Sequence, residues 1–190
     1  YGQMMREQTR HMQSIVADLL TLSTLESSPT VEGETVQVSQ LIESALKQGE
    51  AISGGQHSFV TDLDPRIAIQ GMETELSSAV SNLITNAVRY TPKDGTITVR
   101  WYLNDNGEAC YSVQDTGIGI AAQDIPRLTE RFYRVDKGRS RSTGGTGLGL
   151  AITKHIIVRH NADLQIQSRL GVGSVFMLRF PKSRVRLQDS

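Results

Sequence analysis

The chain is 190 residues long, and its 20 Lys+Arg against 20 Asp+Glu give a formal net charge of zero. That length suits one domain with a short appendage and a sizeable core, and 38% hydrophobic with 21% charged residues excludes a disordered chain. Balanced charge argues against a general nucleic-acid binder, the single Cys110 excludes an internal disulfide or a multi-cysteine metal site, and no apolar run approaches the ~20 residues of a membrane span. With no signal-peptide pattern at the start, the expectation is a water-soluble domain from a reducing compartment.

Up to about Ser27 there is no Gly or Pro after Gly2, and the spacing predicts a helix. Met5, Met12 and Leu19 repeat at seven, with Ile15, Val16 and Leu22 between them, as in the seam of a helical bundle. Ser27-Ser28-Pro29 and then Gly33 mark a linker over residues 29–38. A second amphipathic helix is expected from Ser39, a good N-cap, to Ile52, ending at Gly54-Gly55. Short strands follow at His57–Asp62 and Ile67–Ile69, around the Asp64-Pro65 turn. Residues 73–89 read as a helix. Thr96–Leu103 and Glu108–Asp115 read as strands joined at Asn104-Asp105-Asn106-Gly107, a hairpin signal.

A long Gly- and Arg-rich stretch then runs to Gly147, followed by a helix from about Leu148 to Arg159. Strands Asp163–Arg169 and Ser174–Phe180 close the domain, and residues 182–190 are expected to be a basic tail. There is no internal repeat. Helices and a mainly antiparallel sheet in blocks predict an α+β fold, a two-layer α/β sandwich over residues 39–181. The neutral total hides a local imbalance. Residues 1–60 hold Arg6, Arg10 and Lys47 against Glu7, Asp18, Glu26, Glu32, Glu34, Glu43 and Glu50. Arg127, Arg131, Arg134, Lys137, Arg139 and Arg141 face only Glu130 and Asp136, which suggests a local anion site.

Three features carry chemistry. On the 73–89 helix, at about 100° per residue, Glu75, Asn82, Asn86 and Arg89 share a narrow polar stripe, while Leu76, Val80, Leu83, Ile84 and Ala87 form an apolar face. Such a stripe also suits a solvated helix back, yet neutral amide oxygens are good ligands for a partly hydrated Mg²⁺ held mostly by phosphates. In the strand before Asp115-Thr-Gly117-Ile-Gly119, Ala109, Tyr111, Val113 and Asp115 share a face. If that face packs on the helices, the Asp115 carboxylate points inward and needs a donor, which a purine amine would supply; a turn capped by Asp is the plainer alternative. Gly144-Gly145-Thr146-Gly147-Leu148-Gly149 leads into a helix N-terminus, where backbone N–H groups and the helix dipole favour phosphate. It is neither a P-loop nor a dinucleotide-binding fingerprint, and alone it would also suit a hinge.

In this order, the three resemble the N, G1 and G2 boxes of the sensor histidine kinase catalytic domain, in the ATPase superfamily shared with gyrase, Hsp90 and MutL. Asn82-Leu-Ile-Thr-Asn86-Ala-Val-Arg-Tyr90 matches the N box. Leu128-Thr-Glu-Arg-Phe132-Tyr133-Arg134-Val-Asp136 resembles the F box, and Gly171-Val-Gly173-Ser174 the last glycine box. Residues 1–28 are similar to the second helix of the dimerisation and phosphotransfer hairpin, through Asp18-Leu-Leu-Thr-Leu-Ser-Thr-Leu-Glu26. The lid-region run Arg127–Lys137 with Arg139 and Arg141 is most like that of phosphate-regulon sensor kinases.

The resemblance implies ATP and Mg²⁺ as ligands. Asn86 would ligate Mg²⁺, Asn82 would support it or contact phosphate, Arg89 would approach the phosphates and Tyr90 would pack on adenine. Asp115 would accept from the adenine amine. Gly117, Gly119, Ile120, Gly145, Thr146, Gly147, Gly149 and Ser174 would shape the pocket, with Leu148 donating from its backbone. An ATP lid over about 121–146 would bring Tyr133, Arg134, Arg139 and Arg141 to the triphosphate. Hydrolytic relatives carry a water-activating Glu four residues before the Mg²⁺ Asn; here Asn82, a poor base, stands there. None of His11, His57, His155 or His160 sits in the family's acceptor motif. The resemblance therefore implies the cytoplasmic catalytic part of an inner-membrane kinase, attached to the membrane only through a region outside this chain. Its partners would be a second copy in the full protein and a response-regulator receiver domain, with no nucleic acid.

Overall fold

The computed structural model describes residues 2–26, 31–130 and 148–188. In chain order these form α1 (Gly2–Glu26), β1 (Glu34–Val36), α2 (Val38–Ser53), β2 (Ser58–Leu63), β3 (Ile67–Gly71), α3 (Glu73–Tyr90), β4 (Thr96–Leu103) and β5 (Ala109–Asp115). Then come α4 (Gly149–Arg159), β6 (Asp163–Arg169), β7 (Gly173–Phe180) and β8 (Val185–Leu187), with single 3-10 turns at Ile125–Arg127 and Lys182–Arg184.

A five-stranded sheet runs in the order β2-β4-β5-β7-β6, antiparallel except for the parallel β2–β4 pair. The alternation read from residues 96–115 becomes the β4–β5 hairpin, whose turn is held by Asn104 Oδ1 accepting from the N–H of Asn106 and of Glu108. α2, α3 and α4 pack together and against the sheets. The architecture is the expected α+β sandwich. The core between the layers holds Trp101, Tyr111 and Phe180, all but sealed from solvent. Trp101 meets Phe180 edge-to-face at 6.0 Å and donates its indole N–H to Ile67 O, so this large side chain is buried with its polar group satisfied.

Three expectations change. α2 begins at Val38 after Gln37, without a side-chain cap, so Ser39 lies inside the helix and is not its N-cap. β1 falls within residues 29–38, and residues 185–187 of the expected tail form β8; both strands flank β3 in a second, antiparallel sheet. Short strands of three residues carry too little alternation to be read from sequence. β2 and β3 also part after the Asp64-Pro65 turn, β2 joining the large sheet and β3 the small one.

The seam expected on α1 is divided. Leu22 and Leu25 are buried, with Ile15 and Leu19 packed beside them, and α1 lies against α4. Met5, Met12, Val16 and Leu20 are more than half exposed and form a second stripe about 110° round the helix from the first.

Candidate functional site

The polar stripe of α3 faces α4. Asn82 Nδ2 donates to Gly149 O and to Thr153 Oγ1, both at 3.2 Å, and Thr153 Oγ1 donates to Gly149 O at 2.9 Å. One end of the pair is thereby tied at the first turn of α4. At the other end, Arg159 reaches back to Glu75, with Nε–Oε1 at 2.8 Å and Nη2–Oε2 at 3.0 Å. The helices therefore run in opposite directions. Asn86 stands about 6 Å further along α3 than Asn82, past the N-terminal end of α4, where the positive end of the helix dipole lies. The side chains of Asn86 and Arg89, both half-buried, make no hydrogen bond to any described residue. Leu148 precedes α4 with its side chain sealed from solvent.

Asp115 closes β5 beside Ile97 and Ser174 on the neighbouring strands. Tyr111 on the same face donates its hydroxyl to Val80 O at 2.9 Å, which pins the strand to α3. Asp115 is 6% exposed. Its Oδ1 accepts from Gly117 N at 2.9 Å and Ser174 N at 3.2 Å, and Oδ2 has no donor among the described residues. Burial pushes its pKa above the ordinary 3.8, and the two N–H donors oppose that rise.

The turn after Asp115 is tight because the chain itself crowds it. A Cβ on Gly117 would meet Tyr90 O at 2.3 Å, and one on Gly119, where φ is +73°, would meet Arg169 O at 2.1 Å. Ile118 N donates to Tyr90 O at 3.3 Å and Ile120 N to Ser168 Oγ at 2.7 Å. Ser168 Oγ also lies 2.7 Å from Ser174 Oγ. The structure thus brings Asn82, Asn86, Arg89, Tyr90, Asp115, Gly117, Gly119, Ile120, Leu148, Gly149 and Ser174 around the junction of α3, β5, β7 and the start of α4. Tyr133, Arg134, Arg139, Arg141, Gly145, Thr146 and Gly147 lie outside the described residues, as does most of the expected lid.

Sequence reasoning missed Thr153, Ser168, Glu75 as a partner of Arg159, and the partners of His160. His160 is buried, accepts Met72 N–H on Nε2 at 3.1 Å and lies 2.7 Å from Ile156 O through Nδ1. Burial lowers its pKa from 6.5. Its position just past a helix C-terminus was visible, but its contact with a residue 88 positions away was not. His57 bridges Ser53 Oγ and Thr91 O, so two of the four histidines serve packing.

The chemistry of the set suits a nucleoside triphosphate: a carboxylate oxygen at the closed end for an amine, and amide and guanidinium groups beside a helix N-terminus for phosphates. Asn86 offers a neutral amide oxygen, the donor a Mg²⁺ already surrounded by phosphate oxygens accepts. Among the described residues no cluster of three His, Cys, Asp or Glu could hold a metal by itself, and no helix is long and apolar enough to cross a membrane.

A family model described as "Histidine kinase-, DNA gyrase B-, and HSP90-like ATPase" matches residues 71–184. The chain belongs to this ATPase family. The matched stretch runs from the end of β3 to Arg184. Among relatives, the "Phosphate regulon sensor protein PhoR" of Pseudomonas aeruginosa is 46% identical over 185 residues, covering 96% of this chain and 42% of that protein. The protein of the same name from Haemophilus influenzae is 38% identical over 178 residues, covering 94% and 42%. The chain thus spans less than half the length of these relatives. Among solved structures, the "Mycobacterial sensor histidine kinase MprB" superposes with a TM-score of 0.70 at 26% identity, covering 82% of this chain and all of that one. The fold and the homology to sensor histidine kinases agree with the order of boxes in the sequence.

Proposed function

We propose that this chain is the ATP-binding kinase portion of a bacterial two-component sensor histidine kinase acting in phosphate-starvation signalling. The γ-phosphoryl of ATP is transferred to a histidine nitrogen, ADP leaves, and the phosphoryl then passes to a response-regulator Asp. The acceptor histidine belongs to a segment outside this chain. Residues 1–28 are the second helix of a dimerising hairpin, residues 39–181 the core of the catalytic domain, and the full protein is a homodimer held at the inner membrane by another region.

The observation that carries this reading is the asymmetric use of Asp115. Its Oδ1 is saturated by two backbone N–H groups while Oδ2 is left to one donor, an arrangement that selects the exocyclic amine of adenine. Tyr90 packs on the base, and Arg89 and the start of α4 attract the phosphates. A lid carrying Tyr133, Arg134, Arg139, Arg141, Gly145, Thr146 and Gly147 adds charge on closure. Mg²⁺, ligated by Asn86, neutralises phosphate charge when bound. Asn82 is engaged with Gly149 and Thr153 and has no basic oxygen for activating water, which spares ATP from hydrolysis.

Titration calorimetry with Mg·ATP tests the site. Asp115→Ala is expected to weaken binding by about 10- to 100-fold, the worth of a hydrogen bond to a charged group; unchanged affinity would overturn the adenine assignment. With γ-labelled ATP, the chain alone should take up no acid-labile phosphate. A supplied hairpin helix carrying the acceptor motif should become labelled in its presence. Steady ATP turnover without acceptor would instead identify a hydrolase.

A further inference from the structure

The C-terminal segment does something the nucleotide site does not require. Arg184, in the turn Lys182–Arg184, is only 8% exposed. Its guanidinium donates to Val31 O, to Gln70 O at 2.8 Å and to Asn161 Oδ1 at 2.8 and 3.0 Å, with Glu32 O at 3.5 Å. These acceptors come from three places: the residues entering β1, the end of β3, and the residue beyond the C-cap of α4. A buried cation is costly unless its donors are met, and this fork is filled by acceptors from three separate stretches of chain.

The entering residues are fastened at further points. Val31 N donates to Arg159 O at 3.0 Å, β1 pairs with β3, and Gln37 Nε2 donates to Gln188 Oε1 at 3.0 Å. β8 holds the other side of β3, and Gln188 N bonds Arg66 O. Residues 31–36 thus form a strap pressed on the C-terminal end of α4. The strap follows α1 in the chain, and α1 rests its Leu22–Leu25 end on α4, with Glu26 3.7 Å from His155. α4 therefore has the candidate site at its first turn, α1 along its side, and the Arg184 cluster at its last turn.

We propose that Arg184 is the clasp of this strap: it keeps α1 seated on α4, and opening it releases α1 while leaving the sheet and the first turn of α4 in place. The device has two states. In the seated state Leu22 and Leu25 are covered; in the released state they join Met5, Met12, Val16 and Leu20 as exposed apolar groups. The C-terminal segment thereby sets how α1 stands relative to the domain that follows it.

Hydrogen exchange measured by mass spectrometry on the 190-residue chain and its Arg184→Ala variant tests this. In the variant, amides of residues 15–25 and 31–36 are expected to exchange about tenfold faster or more, while β4, β5 and residues 149–153 keep wild-type protection. Unchanged exchange at residues 15–25 would overturn the proposal. Arg184→Lys keeps the charge and the aliphatic stem but cannot bridge the acceptors, so it is expected to loosen the same two stretches. Loss of β5 protection alongside α1 in both variants would place Arg184 in the domain core and overturn the clasp. Leu22→Ala is expected to free α1 while residues 31–36 stay protected, and parallel loosening of the strap there would also count against it.

Discussion

The two ends of the candidate site are built on opposite plans. At the Asp115 end the chain holds itself: Oδ1 has two backbone donors, Tyr90 O receives Ile118 N–H, and Ser168 joins Ile120 to Ser174. At the other end, the side chains of Asn86 and Arg89 stand without hydrogen bonds to described residues, before a helix N-terminus. Folding finishes the first end, and the second is finished by what binds. A flat neutral base is best recognised by a rigid slot, whereas a charged chain of phosphates brings enough electrostatic free energy to order groups around itself. On the proposed reading, selectivity belongs to one end and charge stabilisation to the other.

The largest expected effect comes from breaking the rigid end. Gly119→Ala forces a side chain onto φ +73° and a Cβ 2.1 Å from Arg169 O; the loss of unfolding free energy should be about 3 kcal/mol, measured by denaturant titration. A neutral result would mean that this end yields as easily as the other. Asn86→Ala should act the other way, leaving stability within about 0.5 kcal/mol while weakening Mg·ATP about tenfold, or roughly 1.4 kcal/mol. Calorimetry with and without a chelator checks it, since the difference between wild type and variant should vanish without Mg²⁺.

The smallest effect lies away from both ends, at His160. Burial lowers its pKa from 6.5, so the folded state prefers the neutral ring that accepts Met72 N–H. Its contribution is fully present above pH 6.5 and is lost as pH falls through the lower folded value. Unfolding free energies between pH 7.5 and 5 should fall for wild type, and His160→Asn should lack that part of the slope. A nucleotide affinity that followed the same slope would show that the far end of α4 reaches the site, and would blur the contrast between its two ends.

What the sequence made legible follows from period and spacing. The apolar face of residues 73–90 and the alternation through Tyr111, Val113 and Asp115 reported their own burial because local periodicity encodes one face. The three boxes located the site's corners because each needs a few residues at fixed short spacing. Thr153, Ser168 and the Glu75–Arg159 pair stayed hidden because their roles arise only when segments 71, 48 and 84 residues apart meet. β1 and β8 were hidden for another reason: a three-residue strand is stabilised by its neighbour on β3 and not by its own pattern. The division of the α1 seam likewise depends on α4, which no reading of residues 1–27 contains.

The contact between Asp115 and Ser174 joins residues 59 positions apart. Chain entropy gives that span an unusual freedom. Closing a loop costs only about 0.6 kcal/mol more for each doubling of its length, and β5 and β7 hold its two ends through seven paired residues. Length alone is therefore a small cost to the pairing that frames the pocket, whereas Ile120 and Leu128, packed on the core, are not free to change.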